Sequence, residues 1–504
     1  MTESEEKPMT GEIIAFILYF CLMLGIGIFF FFREKHAGEK EYFLGGRSMG
    51  PWVTAMSAQA SDMSAWLLMG LPGSILAFGF GQMWIGIGLC IGTIANWILV
   101  ARRLRCFSEA ANDSITMPQY LTNRFAAKSR TLQIICAIIF LASFTVYVAS
   151  AFVAGSTVFT TIFPALSDKA AMIIFASIII IYTFLGGYKA VCWTDFFQGL
   201  LMLAAVLAVP IVICVTKDLN TAKLSEVIVS NSGNVYAFGD SLFTASWQDI
   251  VSGLAWGLGY FGMPHIIVRF MSIKDPKMVK KSALVACIWV VLSLGAISLI
   301  AYFGRMLVAD ELLVNDMQKT VFIQLTRDLF PSAIAGILLA AIMAASMSTA
   351  DSQLLVASSA FTSDIYRPIF RKNASDREIL WVGRGVVLLV SIVAYFIASS
   401  KGSGAQAIMN LVEKAWGVFG AAFGPVIILS LFWRRFTYRG AIAGVLGGAI
   451  ADIIWLLFFF DATNIYEILP GFLFGAVCAV AATLLDKKPA KEVTDIYDKA
   501  VAMK

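Results

Sequence analysis

Asp62 is the most demanding residue in the sequence. It lies inside WVTAMSAQASDMSAWLLMGLPG, residues 52–73, a stretch otherwise small or apolar. An ionised carboxylate held away from water costs several kcal/mol unless it is paired or binds an ion, so it points to ion handling. It also suits a helix break, where a carboxylate caps free backbone N–H groups; the two roles are compatible. A second constellation lies in GILLAAIMAASMSTADSQLLVASSA, residues 336–360, where Ser346, Ser348, Thr349 and Ser352 crowd around Asp351. Hard cations take oxygen ligands. A helix uses its own carbonyls, so an ion site inside an apolar protein needs hydroxyls or unwound backbone. Small hydroxyl residues also let helices pack closely, and this stretch alone does not separate the two readings.

Other chemistry is poorly represented. There are two histidines, His36 and His265, and eight scattered cysteines without a CxxC pair, which argues against a zinc site, a disulfide framework or a histidine base. No GxxxxGK[ST] loop is present to hold a nucleotide. The reading is of a protein that is not an enzyme.

The elements that position these residues are membrane helices. The chain has 504 residues, 59% hydrophobic and 14% charged, where soluble domains run at about 25% charged. Its mean hydropathy is +0.80. A spanning helix needs about 20 apolar residues, and the sequence divides into 13 apolar runs. The class predicted is an all-α polytopic membrane protein in a lipid bilayer. With the N-terminus outside and the C-terminus cytoplasmic, 28 Lys and Arg fall in inner segments and 8 in outer ones, as the positive-inside rule requires. The net charge of +5 is spread over short loops, so nucleic acid is not a partner. The acidic start lacks the basic region of a cleavable signal. The loop at 101–130 is predicted to lie on the membrane surface, and the tail from Asp486 to be loosely ordered.

Two spans are interrupted. The second carries the polar run around Asp62. The seventh, SGLAWGLGYFGMPHIIV, holds Gly253, Gly257, Gly259, Gly262 and Pro264. Interrupted helices in corresponding positions of two halves mark a transporter's substrate site. The spacing divides the chain into an N-terminal helix and inner loop (1–50), a first five-helix repeat (51–215) and an outer loop (216–249). A second repeat (250–433), two peripheral spans (434–485) and a tail (486–504) follow. Five spans per repeat force the second copy to be inverted.

The phrases YFLGGRSMGPWVTAMSAQASDMSAWLLMGLPG, SWQDIVSGLAWGLGYFGMPHIIVRFM and GILLAAIMAASMSTADSQLLVASSA, with WTDFFQ (193–198) and GAAFGPV (420–426), resemble the sodium:solute symporter family. The resemblance runs from about residue 41 to 485. It implies a LeuT-like fold of 5+5 inverted repeats in a bacterial cell membrane, and Na+-driven uptake of L-proline. Another small solute, such as another amino acid or pantothenate, is the alternative. Carried over by position, the resemblance implies Na+ ligands at the carbonyls of Ala60, Met63 and Ala345 and the hydroxyls of Ser348 and Thr349, with Asp62 critical for Na+. It implies Arg47 and Asp195 as residues of Na+ coupling. The proline pocket it implies is Tyr147, Trp256, Tyr260 and Pro264, with Ser64 and Trp66. Three positions depart from the family pattern: Gln119, Asp351 and the pair Glu413–Lys414. A second cation site beside Asp351 is the alternative reading there.

Overall fold

The computed structural model describes residues 7–33, 38–163, 165–401 and 405–503. Lys35 and His36 lie outside the described residues. The chain is almost entirely helical. Helix α1 (Lys7–Arg33) is followed by α2 (Pro51–Asp62), then α3 (Trp66–Phe78) and α4 (Phe80–Ala110). Next come α5 (Thr131–Ile162) and the long α6 (Asp168–Thr216), which kinks at Gly187 where φ is +61°. The seventh span is the bent pair α7 (Trp247–Phe261) and α8 (Pro264–Ser272), which meet at 42°. Then follow α9 (Val279–Leu307), α10 (Ser332–Phe361), α11 (Asp376–Lys401) and α12 (Ala405–Phe432). The last are α13 (Tyr438–Phe458), α14 (Ile468–Leu485) and α15 (Lys491–Ala502).

Among the described residues, ten helices are long and apolar enough to cross a membrane, or eleven if α7 and α8 form one span. The sequence predicts thirteen. The stretch at 52–80 is divided between α2 and α3, each too short to count alone. The runs at 170–185 and 192–215 lie on either side of the non-helical break at Gly187 within α6, and only the stretch Gly186–Thr216 counts as long and apolar enough.

The packing inverts that of a soluble protein. Helix α10 is buried almost without interruption from Ala335 to Ala360, and its residues there are mostly Ala, Ser, Thr and Met. Large apolar side chains such as Leu18, Phe396, Leu457 and Phe474 face outward, where lipid rather than water receives them.

Two corrections concern the inner face. The tail is not loose: α15 has an apolar face at Val493, Ile496, Tyr497 and Ala500 that packs on α4 and on the short helix Met117–Arg124. Arg434 grips Asp498 through two hydrogen bonds of 2.8 and 2.6 Å. The amphipathic segment Met117–Arg124 is likewise held within the protein. Tyr120 is hydrogen-bonded to Ser430 at 2.9 Å, and Arg124 donates to the carbonyls of Ser430 and Val493. Both segments are short helices whose spacing of apolar residues buries one face. Arg305 ties α3 to the segment 216–249 by donating to the carbonyls of Leu76, Glu226 and Tyr236.

The glycines of α7 have a packing reason beyond helix breaking. Gly253 and Gly257, four apart, lie against Gly88 and Gly92 of α4, also four apart. A Cβ on Gly88 would overlap Gly253 O, and one on Gly92 or Gly257 would overlap the facing backbone. This is the small-residue contact that lets membrane helices touch backbone to backbone. Gly92→Ala and Gly257→Ala should therefore each destabilise the fold by about 1–3 kcal/mol, the usual effect of overpacking. Thermal unfolding of purified protein should show the loss, with Gly295→Ala, where a Cβ meets open space, as the neutral control.

Candidate ion and substrate site

The break after α2 frees two carbonyls. In a continuous helix Ala60 O would accept from Ser64 N–H, but that N–H bonds Asp62 O at 3.0 Å instead. Met63 O would accept from Leu67 N–H, which bonds Ser64 O at 3.0 Å. The cause is Met63, whose ψ of +77° leaves the helical region. Helix α10 crosses at this point. Ser348 Oγ donates to Ala60 O at 2.7 Å and lies 3.2 Å from Ala345 O; Thr349 Oγ1 donates to Ala345 O at 3.0 Å. Ala60, Ala345, Ser348 and Thr349 thus converge, and Met63 O is freed by the same break. All five residues are buried. Carbonyl and hydroxyl oxygens without a formal charge suit a monovalent hard cation.

The Asp62 carboxylate reaches across to the second break. Its Oδ2 accepts from Tyr260 Oη at 2.5 Å, so the carboxylate connects the break in α2 to α7. Beside it stands a wall of aromatic rings. Trp256 lies 6.4 Å from Trp66, 6.3 Å from Trp416 and 5.0 Å from Tyr466, centroid to centroid. Tyr260 meets Trp416 edge-on at 5.2 Å, and Trp416 Nε1 donates to Trp256 O at 2.8 Å. Tyr147 of α5 sits against Ser64 and, at 6.3 Å, the His265 ring. Ser64, Trp66, Tyr147, Trp256 and Tyr260 therefore share one region. Pro264 opens α8 just past the second break, where the missing N–H of a first helical residue costs nothing.

Asp195 and Arg47 lie elsewhere. Asp195, on α6, accepts from Ser57 Oγ at 2.6 Å and from Arg269 at 3.1 Å. Arg269 also donates to Ser57 Oγ at 3.1 Å, to His265 O at 2.6 Å and to Ser352 Oγ. Ser352 in turn donates to Asp351 at 3.2 Å, and Tyr182 donates to Asp351 at 2.7 Å. This network joins α2, α6, α8 and α10. The sequence reading counts Arg269 among inner-loop charges; it is 1% exposed on α8 and supplies a positive charge between Asp195 and Asp351. Its place inside the apolar run PHIIVRFMS was the available signal. Trp416 and Tyr466 carried no signal, since single aromatics in apolar spans are common.

Arg47 is the centre of a separate clasp. Gly45, Gly46 and Arg47 all have positive φ, between 53° and 64°, a left-handed turn for which glycine carries no Cβ penalty. The turn aims Arg47 at Asp113 (2.7 Å), Ser108 (3.1 Å), Met271 O (2.5 Å) and Ser114 O (3.0 Å). Across the same seam Met49 N–H donates to Ser272 O and Lys274 N–H donates to Met49 O, and Arg105 donates to Ile273 O at 2.6 Å. Burial, then the nearby Arg105 charge, lowers the Arg47 guanidinium from its ordinary value. Burial acts against ionised Asp113 too, yet hydrogen bonds from Lys40 and Arg47 hold it below the usual carboxylate range.

Broken helices meeting an intact one at freed carbonyls and hydroxyls define a LeuT-like, ion-coupled membrane transporter. Residues 42–448 match the sodium:solute symporter family, and the chain belongs to it. It is 41% identical to the sodium/proline symporter of Escherichia coli (strain K12), covering 98% of this chain and 97% of that one. It is 42% identical to the high-affinity proline transporter of Bacillus subtilis (strain 168), over 94% and 98%. In fold it matches a Na+-coupled sialic acid symporter in a substrate-bound outward-open state, with a TM-score of 0.73 at 18% identity, covering 95% of this chain and 98% of that one.

The inner clasp gives a test. Arg47→Gln or Asp113→Asn should speed labelling of a cysteine at Ile273, which is fully buried, by about tenfold. A charged hydrogen bond contributes about 1.5–3 kcal/mol, and water around half-exposed Asp113 keeps the effect at the low end. The measurement is a membrane-impermeant thiol reagent on inside-out vesicles, with native cysteines replaced. Because the folded Asp113 value is depressed, the clasp is complete above the ordinary carboxylate value of about 3.9. It loosens only as pH falls through the lower folded value. Mild acid should leave wild-type labelling slow.

Proposed function

We propose that this chain carries L-proline into a bacterial cell together with Na+, by alternating access. The reading is carried by the freed carbonyl Ala60 O against the Ser348 hydroxyl, beside Ala345 O and Thr349 and next to the freed Met63 O. Na+ is held there by those four groups and Ala345 O, and the hydroxyls turn their protons away to present lone pairs. Asp62 compensates the charge from one side. Proline, a compact zwitterion with an apolar ring, lies against Trp66, Trp256, Tyr260 and Tyr147; aromatic faces bury its ring and accommodate its ammonium. Ser64 and the start of α3 receive its carboxylate, and Pro264 keeps the second break open. Two relatives at 41% and 42% identity are named for proline transport, which supports this solute over others. The repeats at 51–215 and 250–433 move against each other, with the N-terminus outside and the C-terminus cytoplasmic. Arg47 and Asp195 connect ion binding to that movement. No bond in the solute is made or broken.

The driving force is adequate. One Na+ crossing 100 mV releases about 2.3 kcal/mol, and a tenfold gradient adds about 1.4. Together they sustain accumulation of several hundredfold at one ion per solute.

The direct test is radiolabelled proline uptake into proteoliposomes. Uptake above equilibrium only with an inward Na+ gradient is expected; uptake of another solute in its place redirects the substrate assignment. Ser348→Ala and Thr349→Ala should each raise the Na+ concentration for half-maximal uptake, because each removes one oxygen ligand. Asp62→Asn should abolish most Na+-driven uptake while the protein still inserts. Trp256→Ala and Tyr260→Ala should weaken proline binding about ten- to hundredfold, the loss of about 1–3 kcal/mol of aromatic contact.

A further inference from the structure

Two buried carboxylates on the outer side of the aromatic wall take no part in the site described above. Asp452 is in the middle of α13 and Glu467 is the residue before α14; each is 1% exposed. None of their four carboxylate oxygens is hydrogen-bonded to another residue. Both point at Gly417 of α12: a Cβ there would lie 3.0 Å from Asp452 Oδ1 and 3.5 Å from Glu467 Oε1. The two oxygens are therefore no more than about 6.5 Å apart. Glycine contacts tighten the surroundings, with Gly471 of α14 against Asp452 and Gly448 of α13 against the backbone of Ala421.

Two ionised carboxylates cannot stand together here. Each loses several kcal/mol of hydration with nothing donated in return, and their mutual repulsion adds to this. The charged and titratable groups around them do not solve the problem. On α12, Glu413 adds a like charge and Lys414 offsets it; Tyr466, beside Glu467, is bonded to Glu413 O at 2.8 Å, and Tyr147 of α5 is uncharged. The start of α14 favours one negative charge at Glu467 but not two. Among the described residues no third His, Cys, Asp or Glu completes a metal-binding group, so the smallest cation fits best.

We propose that one of Asp452 and Glu467 stays protonated, so that the pair carries at most one negative charge, and that this protonated pair holds the outer aromatic wall in place. The second half rests on the proline reading of that wall. Glu467 follows Tyr466, whose ring packs on Trp256, and Gly417 follows Trp416, which donates to Trp256 O. Loss of the proton sets two carboxylates against each other between α13 and α14, and loosens both supports of Trp256.

The test uses the full-length protein in lipid nanodiscs. Infrared difference spectra, titrated from acid to alkaline pH, should show a protonated-carboxyl C=O band that is diminished in both Asp452→Asn and Glu467→Gln. Two variants are used so that misfolding of one does not decide the matter. A band unchanged in both overturns the proposal. So does a band that Na+, replacing choline at constant pH, removes from wild type but not from the variants, since the pair then holds an alkali ion. Proline affinity in wild type should fall with rising pH by up to about tenfold per pH unit, the limit for one linked proton. In Asp452→Asn it should be flat at the low-pH value, because the pair then carries at most one negative charge at any pH. The same slope in both variants as in wild type overturns the link to the wall. Failure of the proline reading is separate: Trp256→Ala would leave proline affinity unchanged while the infrared band still behaved as stated.

Discussion

A backbone carbonyl freed inside an apolar protein must find a partner, and the core of this molecule is arranged around two of them. Leaving such a group bare costs roughly 2–7 kcal/mol, and the Ser348 hydroxyl of α10 supplies the partner of one of them, Ala60 O. That requirement explains the character of α10. It must stay an intact helix to hold Ser348 and Thr349 in register. It must also approach α2 closely, which its Ala- and Ser-rich composition permits. It must be surrounded by other helices, since a polar face cannot meet lipid. Bulky apolar residues both fill the core and cover the outward faces of α1, α11, α13 and α14, where they meet the bilayer.

The fixed charges of the interior follow a consistent rule. Arg269 is the hub of one group: four helices are joined by its bonds and those of Ser57 and Ser352, and removing it would leave Asp195 and Asp351 buried without a counter-charge. Such a pair is weak evidence of stability, because desolvation offsets attraction. Its value here is positional: α2 and α8, which each adjoin a helix break, are tied to the same guanidinium, so neither break shifts without the other sensing it. The inner clasp at Arg47 repeats the logic nearer water, where Asp113 is half exposed and the contact can open at lower cost.

The membrane class and the interrupted spans were legible because they depend on composition and on glycine, proline and polar residues in apolar runs. Asp62, Ser348 and Thr349 were legible for the same reason, since a polar residue in an apolar helix stands out. The break between the runs at 170–185 and 192–215 was legible too, because Gly187 takes a non-helical, positive-φ conformation there. The structure does not follow the sequence in two places. The tail forms α15 because a single amphipathic turn pattern finds a partner on α4, which no local signal announces. Arg269 was assigned to a loop because basic residues near helix ends usually lie there, whereas its partners Asp195 and Ser352 are far away in sequence. Trp416 and Tyr466 show the remaining limit: aromatic residues are so frequent in spans that only their convergence on Trp256 distinguishes them.

The bond between Tyr260 and Asp62 joins the two halves of the site more directly than any shared backbone. The carboxylate belongs to the segment whose carbonyls face α10, and the phenol belongs to the aromatic wall. In the proposed transport cycle, a cation bound at the break in α2 attracts Asp62 and changes what its carboxylate accepts from Tyr260. A solute pressed against the wall moves Tyr260 and changes how Asp62 faces the ion. Each ligand therefore meets a residue already positioned by the other, which lowers the ordering each must undergo. Such coupling is reciprocal by thermodynamic necessity, with the same factor in both directions. It requires only that the bond be made in one arrangement of the breaks and strained in the other. The helices are free to provide that difference because both breaks lie within a few residues of the bonded pair, at Met63 on one side and at Gly262 on the other.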